Sequence, residues 1–266
     1  MLLYSDYRPP SVANDPAKPL LVFLHGFLGS GDDFAQALGY LANYPTLSID
    51  LPGFGASYKL TCHDITHCLE LVKTTINQHI EINQHVILVG YSMGGRLLLT
   101  GLAEGIFTSL PLLGAVVEGA HFGLSDEHMR KSRRKHDEQW AQRFEREPTK
   151  AVLKDWYQQP VFSSLTERQR QELITMRSHN DGRSIAAMLR MTSLSAQADL
   201  RTALHRQSVP IHSICGDKDS KFKQLAEQSG FATTLIEQAG HNTHYERPQA
   251  FARVLCEITE SLLLCK

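Results

Sequence analysis

The stretch from 85 to 96, His-Val-Ile-Leu-Val-Gly-Tyr-Ser-Met-Gly-Gly-Arg, limits the possible folds of this chain more than any other part of the sequence. Its apolar half is short enough for a buried strand, and Leu97–Thr100 after it suits the start of a helix. Between them lies Gly-x-Ser-x-Gly, in which Gly90 and Gly94 have no Cβ atoms that would collide in a tight turn. A strand, a sharp turn and a helix in this order predict a nucleophile elbow that exposes Ser92 at the edge of a sheet. Because the five-residue pattern alone is common, its flanking elements and companion residues must support the prediction.

Composition narrows the classes of partner. The 266 residues suit one α/β domain with an insertion, and 42% hydrophobic residues are enough for a large core. A formal net charge of −1 with 21% charged residues gives no general attraction to nucleic acid or an anionic membrane, so neither is expected as a partner. No apolar run approaches the ~18 residues of a membrane span. Residues 1–8 lack the basic and apolar regions of a signal peptide.

The cysteines and histidines give no sign of a disulfide scaffold or a metal site. Five cysteines are scattered without CxxC pairs, which favours a reducing cytoplasm. His63, His67 and His79 have no grouped carboxylates or cysteines beside them, so they are interpreted as solvated helix histidines. We therefore expect a cytoplasmic protein that needs no metal and no cofactor.

Apolar runs and helical patterns alternate along the chain, which is typical of a parallel α/β sheet. Besides the strand before the elbow, strands are predicted at 20–24, 46–50, 112–118, 211–215 and 233–236, helices at about 62–80 and 248–264, and mainly loop over 1–19. After about residue 120, Ser125 is predicted to cap a long basic helix that ends before Pro148. Helical patterns then follow at 149–158, 166–178 and 183–194. We predict a core of residues 1–120 and 205–266 with an inserted helical lid at 121–204.

The loop after the strand at 20–24 predicts how negative charge is stabilised near the elbow. It begins with His-Gly-Phe, and a glycine there lets backbone N–H groups turn toward the site. The backbone N–H groups of Phe27 and Met93 are the candidate oxyanion donors. The loop also fits an ordinary strand-to-helix turn in which His25 is a satisfied loop histidine. Asp50, in a later glycine-rich loop, is interpreted as structural because such a carboxylate can hold neighbouring backbone.

A carboxylate and a histidine follow the last two predicted strands. Asp219 lies three residues after a strand-ending glycine, with Asp217 as the alternative acid. His241 also follows a glycine, and His244 is the alternative base. The order Ser, Asp, His along the chain differs from that of other serine-triad folds. It predicts an α/β-hydrolase fold, with a mostly parallel central sheet flanked by helices and an inserted helical lid.

Four longer motifs are more specific than the order of the triad. They are Gly-Tyr-Ser-Met-Gly-Gly-Arg at 90–96, Val-Glu-Gly at 117–119, Asp-Trp-Tyr-Gln-Gln-Pro-Val-Phe at 155–162 and Cys-Gly-Asp-Lys-Asp-Ser-Lys-Phe at 215–222. In these motifs the chain resembles the 2-succinyl-6-hydroxy-2,4-cyclohexadiene-1-carboxylate synthases of menaquinone biosynthesis. The resemblance implies elimination of pyruvate from a 5-enolpyruvyl precursor without addition of water. Phe54 departs from the family's Pro-Gly-His-Gly loop, and His121-Phe122-Gly123 stands where Pro-Gly is usual.

The resemblance also implies a small-molecule polycarboxylate substrate. Arg96, Arg133 and Arg177 match the family's anion-binding positions. Arginine suits these positions because its guanidinium stays charged and can bind a carboxylate through two parallel N–H bonds. The remaining predicted substrate contacts are Tyr91, Trp156 and His25.

The residues leave three functions open. In the first, Asp219 orients His241, which deprotonates Ser92, and the serine then removes the substrate's α-proton so that pyruvate leaves. In the second, Ser92 attacks a carboxylic ester or thioester and forms an acyl-enzyme. The third is a ligand receptor without catalysis, which would not need an intact triad. We expect the first function, in a monomer or weak homo-oligomer.

Overall fold

The computed structural model describes residues 1–11 and 18–265, and within them seven strands form one sheet. The strands are β1 Ser5–Arg8, β2 Leu20–Leu24, β3 Thr46–Ile49, β4 Val86–Tyr91, β5 Leu112–Glu118, β6 Ile211–Gly216 and β7 Ala232–Ile236. They lie in the order β1-β3-β2-β4-β5-β6-β7. β1 is antiparallel to β3, and the other neighbouring pairs are parallel. The predicted mostly parallel sheet is confirmed. The predicted loop at 1–19 includes residues 12–17, which lie outside the described residues.

Helices follow most of the strands. Those of the core are α1 Ala35–Gly39, α2 Ile65–Asn77, α3 Met93–Ala103, α9 Ser220–Ser229, α10 Thr243–Glu246 and α11 Pro248–Leu264. Between β5 and β6 lie α4 Glu127–Arg146, α5 Thr149–Trp156, α6 Glu167–Arg177, α7 Gly182–Met191 and the short α8 Arg201–Leu204. Short 3₁₀ helices occupy Gly31–Phe34, Gly55–Ser57 and Pro160–Phe162. None of the described helices is both long and apolar enough to cross a membrane.

Both faces of the sheet are covered because its central strands are apolar on both faces. β2 is buried over its whole length, and its successive side chains point alternately into two separate apolar clusters. One cluster contains Leu38 of α1 and Phe251 of α11, and the other contains Val72 of α2 and Leu98 of α3. Polar side chains are therefore collected at the carboxyl ends of the strands, where the connecting loops meet.

The predicted helices between β5 and β6 are confirmed, with one correction at their start. Asp126 caps α4, since its Oδ1 accepts the N–H of Met129 at 2.7 Å; the prediction that Ser125 is the cap is wrong by one residue. Both side chains suit this role, and the path of the backbone decided between them. Arg190 of α7 pairs with Glu138 at 2.8 Å, which ties α7 to α4. That residues 121–204 move as a lid remains a prediction.

The turn between β4 and α3 is strained and tightly packed. Ser92 has φ 48° and ψ −104°, in a region that side-chain-bearing residues rarely occupy. A Cβ on Gly90 would lie 2.7 Å from the Cα of Gly95. A Cβ on Gly94 would collide with the carbonyl oxygen of Leu24 and approach that of His25 to 2.6 Å. The two motif glycines therefore allow α3 to start directly against the ends of β2 and β4.

Replacing Gly94 should consequently destabilise the fold. We expect Gly94→Ala to lower the free energy of unfolding by ~2 kcal/mol, because the added methyl group must displace backbone. A matched control is Gly39→Ala in α1, where a Cβ would meet nothing within 4 Å. This control should be neutral or slightly stabilising, since alanine favours a helix. Urea unfolding of both variants provides the measurement, and equal stabilities would contradict the packing described for the turn.

Candidate active site

Three loops at the carboxyl ends of the strands bring a serine, a histidine and an aspartate together. His241 Nε2 lies 3.2 Å from Ser92 Oγ, and His241 Nδ1 lies 2.8 Å from Asp219 Oδ2. The ring thus has an N–H to donate to the carboxylate and a free lone pair to accept the serine proton. The other oxygen of Asp219 accepts the N–H of Phe222 at 3.2 Å, which fixes the carboxylate at the start of α9. The arrangement can deprotonate Ser92.

The two alternative residues lie elsewhere. Asp217 is exposed. His244 is 1% exposed, and its Nδ1 lies 2.7 Å from Glu118 Oε2. Glu118 also accepts a hydrogen bond from the hydroxyl of Thr243 at 2.7 Å. His244 therefore helps to hold the loop that carries His241, and its side chain does not reach Ser92.

Backbone donors are available beside the serine. The first backbone hydrogen bond of α3 runs from Arg96 N–H to the Ser92 carbonyl at 2.9 Å, so the N–H of Met93 precedes the helical ladder. Unpaired N–H groups at a helix start favour negative charge. Phe27 and Met93 both line the same cavity as Ser92. The positions of these two residues are compatible with the predicted oxyanion site.

The serine opens into a cavity of about 580 Å³ beneath the inserted helices. Tyr91 and Trp156 line it, as does Phe162. The Trp156 ring packs against Phe27 at 5.2 Å between ring centroids and against Trp140 at 5.1 Å. One wall is thus aromatic. Among residues 1–11 and 18–265, no group of three or more His, Cys, Asp or Glu side chains is placed to hold a metal ion.

Arg96 and Arg133 supply positive charge to the cavity. Arg96 donates to Gln197 Oε1 at 3.0 Å and to the Thr192 carbonyl at 2.6 Å, both of which are neutral. Burial, with Arg133 nearby, lowers the pKa of Arg96 to about 10, so the guanidinium stays charged at neutral pH. Arg133 pairs through its Nε with the buried Asp137 at 2.7 Å. Neutral partners orient Arg96 without cancelling its charge, which leaves it free to attract an anion.

Arg177 also lines the cavity, but its charge already has a partner. Its Nη2 donates to Asp33 at 2.7 Å, and its Nη1 donates to the buried hydroxyl of Tyr157. The Nε of Arg177 is buried and has no hydrogen-bond partner among the described residues. A ligand at Arg177 would therefore meet a guanidinium that is already paired with Asp33.

His25 is the predicted contact that the structure does not bring to the cavity. Its Nδ1 lies 2.7 Å from the Gly26 carbonyl, and its Nε2 accepts the N–H of Leu51 at 2.9 Å. The ring is fully buried, which lowers the pKa of His25. With both nitrogens engaged by backbone, His25 has the contacts of a satisfied loop histidine, and these contacts give no support to its predicted role as a substrate contact. Asp50 is structural as predicted, since it accepts the N–H groups of Gly31 and Ala56, each at 2.7 Å.

Several polar residues of the cavity were not singled out from the sequence. They are His121, His136, Gln159, Lys218 and Lys221. Gln159, Lys218 and Lys221 belong to motifs that the sequence analysis quoted, but neither spacing nor residue type indicated which side chains of these motifs point inward. Asp33 and Glu118 were also missed, because a lone carboxylate in a sequence carries no sign of a distant partner.

Comparisons with known proteins agree with this geometry. Residues 21–254 match the model of the alpha/beta hydrolase family. A 2-succinyl-6-hydroxy-2,4-cyclohexadiene-1-carboxylate synthase from Klebsiella pneumoniae subsp. pneumoniae is 42% identical over 250 residues, covering 92% of this chain and 96% of that protein. One of the same name from Salmonella agona is 41% identical over 261 residues, covering 97% and 99%.

Solved structures share the fold at lower identity. The structure described as MenH from S. aureus has a TM-score of 0.87 at 23% identity and covers 97% of this chain and 98% of its own. A malate-bound thermophilic esterase from Thermogutta terrifontis has a TM-score of 0.77 at 16% identity, covering 98% and 93%. The sequence resemblance is confirmed by the curated relatives: the chain belongs to the α/β-hydrolase family and, within it, to the 2-succinyl-6-hydroxy-2,4-cyclohexadiene-1-carboxylate synthases, which are enzymes.

Proposed function

We propose that this chain is a carbon–oxygen lyase of menaquinone biosynthesis. It eliminates pyruvate from 2-succinyl-5-enolpyruvyl-6-hydroxy-3-cyclohexene-1-carboxylate and so forms 2-succinyl-6-hydroxy-2,4-cyclohexadiene-1-carboxylate. The observation that carries the proposal is a hydrogen-bonded Ser92–His241–Asp219 chain that opens into a cavity lined by arginines. The product is the compound named in curated relatives at 42% and 41% identity.

In the proposed reaction, Ser92 acts as a base. His241 Nε2 takes the serine proton while Asp219 stabilises the resulting imidazolium. The Ser92 oxygen removes the α-proton on ring carbon 2, and the released electron pair forms the 2,3 double bond. The original 3,4 double bond shifts to 4,5 as the C–O bond between carbon 5 and the enolpyruvyl group breaks. The leaving enolate of pyruvate takes up a proton, so no water is consumed. Backbone N–H groups of Phe27 and Met93 stabilise the negative charge that develops.

The positive charge of the cavity supports a substrate with several carboxylates. Arg96 has only neutral hydrogen-bond partners, and Arg133 uses its Nε for Asp137 and retains its terminal amino groups. Arg177 also lines the cavity, with its charge paired to Asp33. A purely apolar ligand would leave such groups desolvated and unpaired, which is unfavourable.

The proposal places the enzyme in the cytoplasm as a monomer or weak homo-oligomer. Neither nucleic acid nor a membrane is a proposed partner, because a formal net charge of −1 provides no general attraction to a polyanion.

Hydrolysis of a carboxylic ester or thioester is the second candidate function. The same hydrogen-bonded serine could attack a carbonyl carbon, and a solved esterase shares the fold with a TM-score of 0.77. The two functions differ in the fate of Ser92, since only hydrolysis needs a covalent acyl-serine and a water molecule.

Replacing the serine tests whether the triad catalyses any reaction. We expect Ser92→Ala to lower kcat for pyruvate release by at least about a thousandfold, because the variant lacks the oxygen that accepts the α-proton. Ser125→Ala, at an exposed position, should retain full activity. Pyruvate is measured by a coupled dehydrogenase assay. Undiminished turnover by Ser92→Ala would exclude the triad mechanism.

The long basic helix α4 offers a matched pair of arginines. Arg133 lines the cavity and Arg134 is exposed. We expect Arg133→Ala to raise KM roughly tenfold or more, since a hydrogen bond to a charged group contributes ~1.5–3 kcal/mol. Arg134→Ala should change KM less than about twofold, because exposed charges contribute little. Steady-state kinetics, with thermal unfolding as a check on folding, makes the comparison; equal effects would contradict the inward assignment of Arg133.

Elimination and hydrolysis are separated by following products in ¹⁸O-labelled water. We expect pyruvate and the ultraviolet absorbance of the conjugated diene to appear in equal amounts. The ring product should contain no solvent oxygen, and mass spectrometry should find no adduct on Ser92. A trapped acyl-Ser92, or ester cleavage much faster than pyruvate release, would instead establish the hydrolase.

A further inference from the structure

Gln197 joins one arginine of the cavity to a histidine that the proposed mechanism does not use. Its side-chain carbonyl accepts a hydrogen bond from Arg96 Nη1 at 3.0 Å, and its amide nitrogen donates to the His121 backbone carbonyl at 3.1 Å. Gln197 is 3% exposed, so its position is fixed by packing. The amide therefore holds Arg96 and His121 at the same part of the cavity wall.

The His121 ring presents a hydrogen-bond donor to the cavity. Its Nδ1 accepts the N–H of Gly123 at 3.0 Å, which requires that nitrogen to be unprotonated. Burial, with Lys221 and Arg96 nearby, lowers the pKa of His121 to about 3, so the ring is neutral at physiological pH. In the neutral ring the proton must then be on Nε2. Since His121 lines the cavity and the described residues offer its Nε2 no partner, this N–H is available to a ligand.

Lys221 supplies a charge at the same place. It lies in the first turn of α9, two residues after Asp219, and it lines the cavity. Its ammonium group is 5.4 Å from the centroid of the Phe222 ring, and that ring is 4.5 Å from the ring of His241. The lysine is therefore separated from His241 by one aromatic side chain.

Neither cation has an acidic partner. Among residues 1–11 and 18–265, no carboxylate forms a salt bridge with Arg96 or Lys221, whereas Arg133 has Asp137 and Arg177 has Asp33. Lys221 is exposed overall, and the partial burial of its ammonium group, with Arg133 nearby, lowers its pKa against the opposing effect of Asp219. An anion that enters here meets two cations that no ion pair occupies, and it can form charge-assisted hydrogen bonds with both.

We propose that His121 and Lys221, together with Arg96, form a subsite that binds one carboxylate of the substrate. Lys221 and Arg96 provide the charge, and the Nε2–H of His121 provides a directed neutral donor, which fixes orientation without adding repulsion. The inference rests on the proposed function for the identity of the ligand, and it assigns two binding residues that the proposed mechanism leaves without a role.

Binding to a catalytically silent protein tests the subsite. In a Ser92→Ala background, the enolpyruvyl precursor is titrated by calorimetry into His121→Ala and Lys221→Met. We expect each change to raise Kd at least tenfold. His121→Gln, which keeps a neutral N–H donor, should bind more tightly than His121→Ala. The matched controls are the exposed His128→Ala and, on the same helix as Lys221, Lys223→Met; neither residue lines the cavity, and both should leave Kd within twofold.

Steady-state kinetics with Ser92 intact separates binding from structural damage. We expect His121→Ala and Lys221→Met to raise KM at least tenfold and to lower kcat less than threefold. The subsite is overturned if Kd stays within twofold of the parent, or if kcat falls while Kd is unchanged. Failure of the proposed function has a different signature: the protein with Ser92 intact would release no pyruvate, while the Kd comparison would still report on the subsite. If the Ser92→Ala protein binds no precursor at all, both proposals are wrong.

Discussion

The strained turn at Ser92 is the constraint on which the rest of the site depends. A residue with φ 48° persists only where its surroundings hold it, and here α3 starts against backbone from two strands through Gly90 and Gly94. The Ser92 N–H donates to the Glu118 carbonyl at 2.8 Å. The Glu118 side chain in turn binds Thr243 and His244 in the loop of the histidine. One residue at the end of β5 thus connects both sides of the candidate triad.

The inserted helices complete the cavity through polar contacts with the core. Arg177 of α6 pairs with Asp33, and Ser164, which precedes α6, donates to Glu246 at 3.1 Å. Gln197, which follows α7, accepts a hydrogen bond from Arg96. Because each contact joins a residue of the insertion to a helical segment of the core, a change in the position of the insertion would alter the charges around the serine.

The fold alone does not decide which reaction such a site performs. An esterase with a TM-score of 0.77 shares the architecture, and a serine activated by histidine can act as a nucleophile or as a base. The residues that line the cavity favour elimination over ester hydrolysis. Cations with neutral partners, such as Arg96, suit a polyanionic substrate better than a neutral ester. The proposed elimination therefore depends on residues that surround the triad more than on the triad itself.

The sequence by itself determined the sheet, the elbow and the family, because these depend on local signals. Apolar runs of strand length and the glycines beside Ser92 are properties of short segments, and each triad residue stands in a short motif whose order along the chain can be read directly. The sequence did not determine the partners of single polar residues. Both ring nitrogens of His25 are bound by backbone. His121, which stands where the family usually has Pro-Gly, gave no sign in the sequence that it lines the cavity. Such pairings join residues far apart in the chain, as Gln197 and Arg96 do, and depend on how the insertion packs on the core. Only the tertiary structure decided them, since hydrogen bonding and burial act through distance in space and leave no periodicity in the sequence.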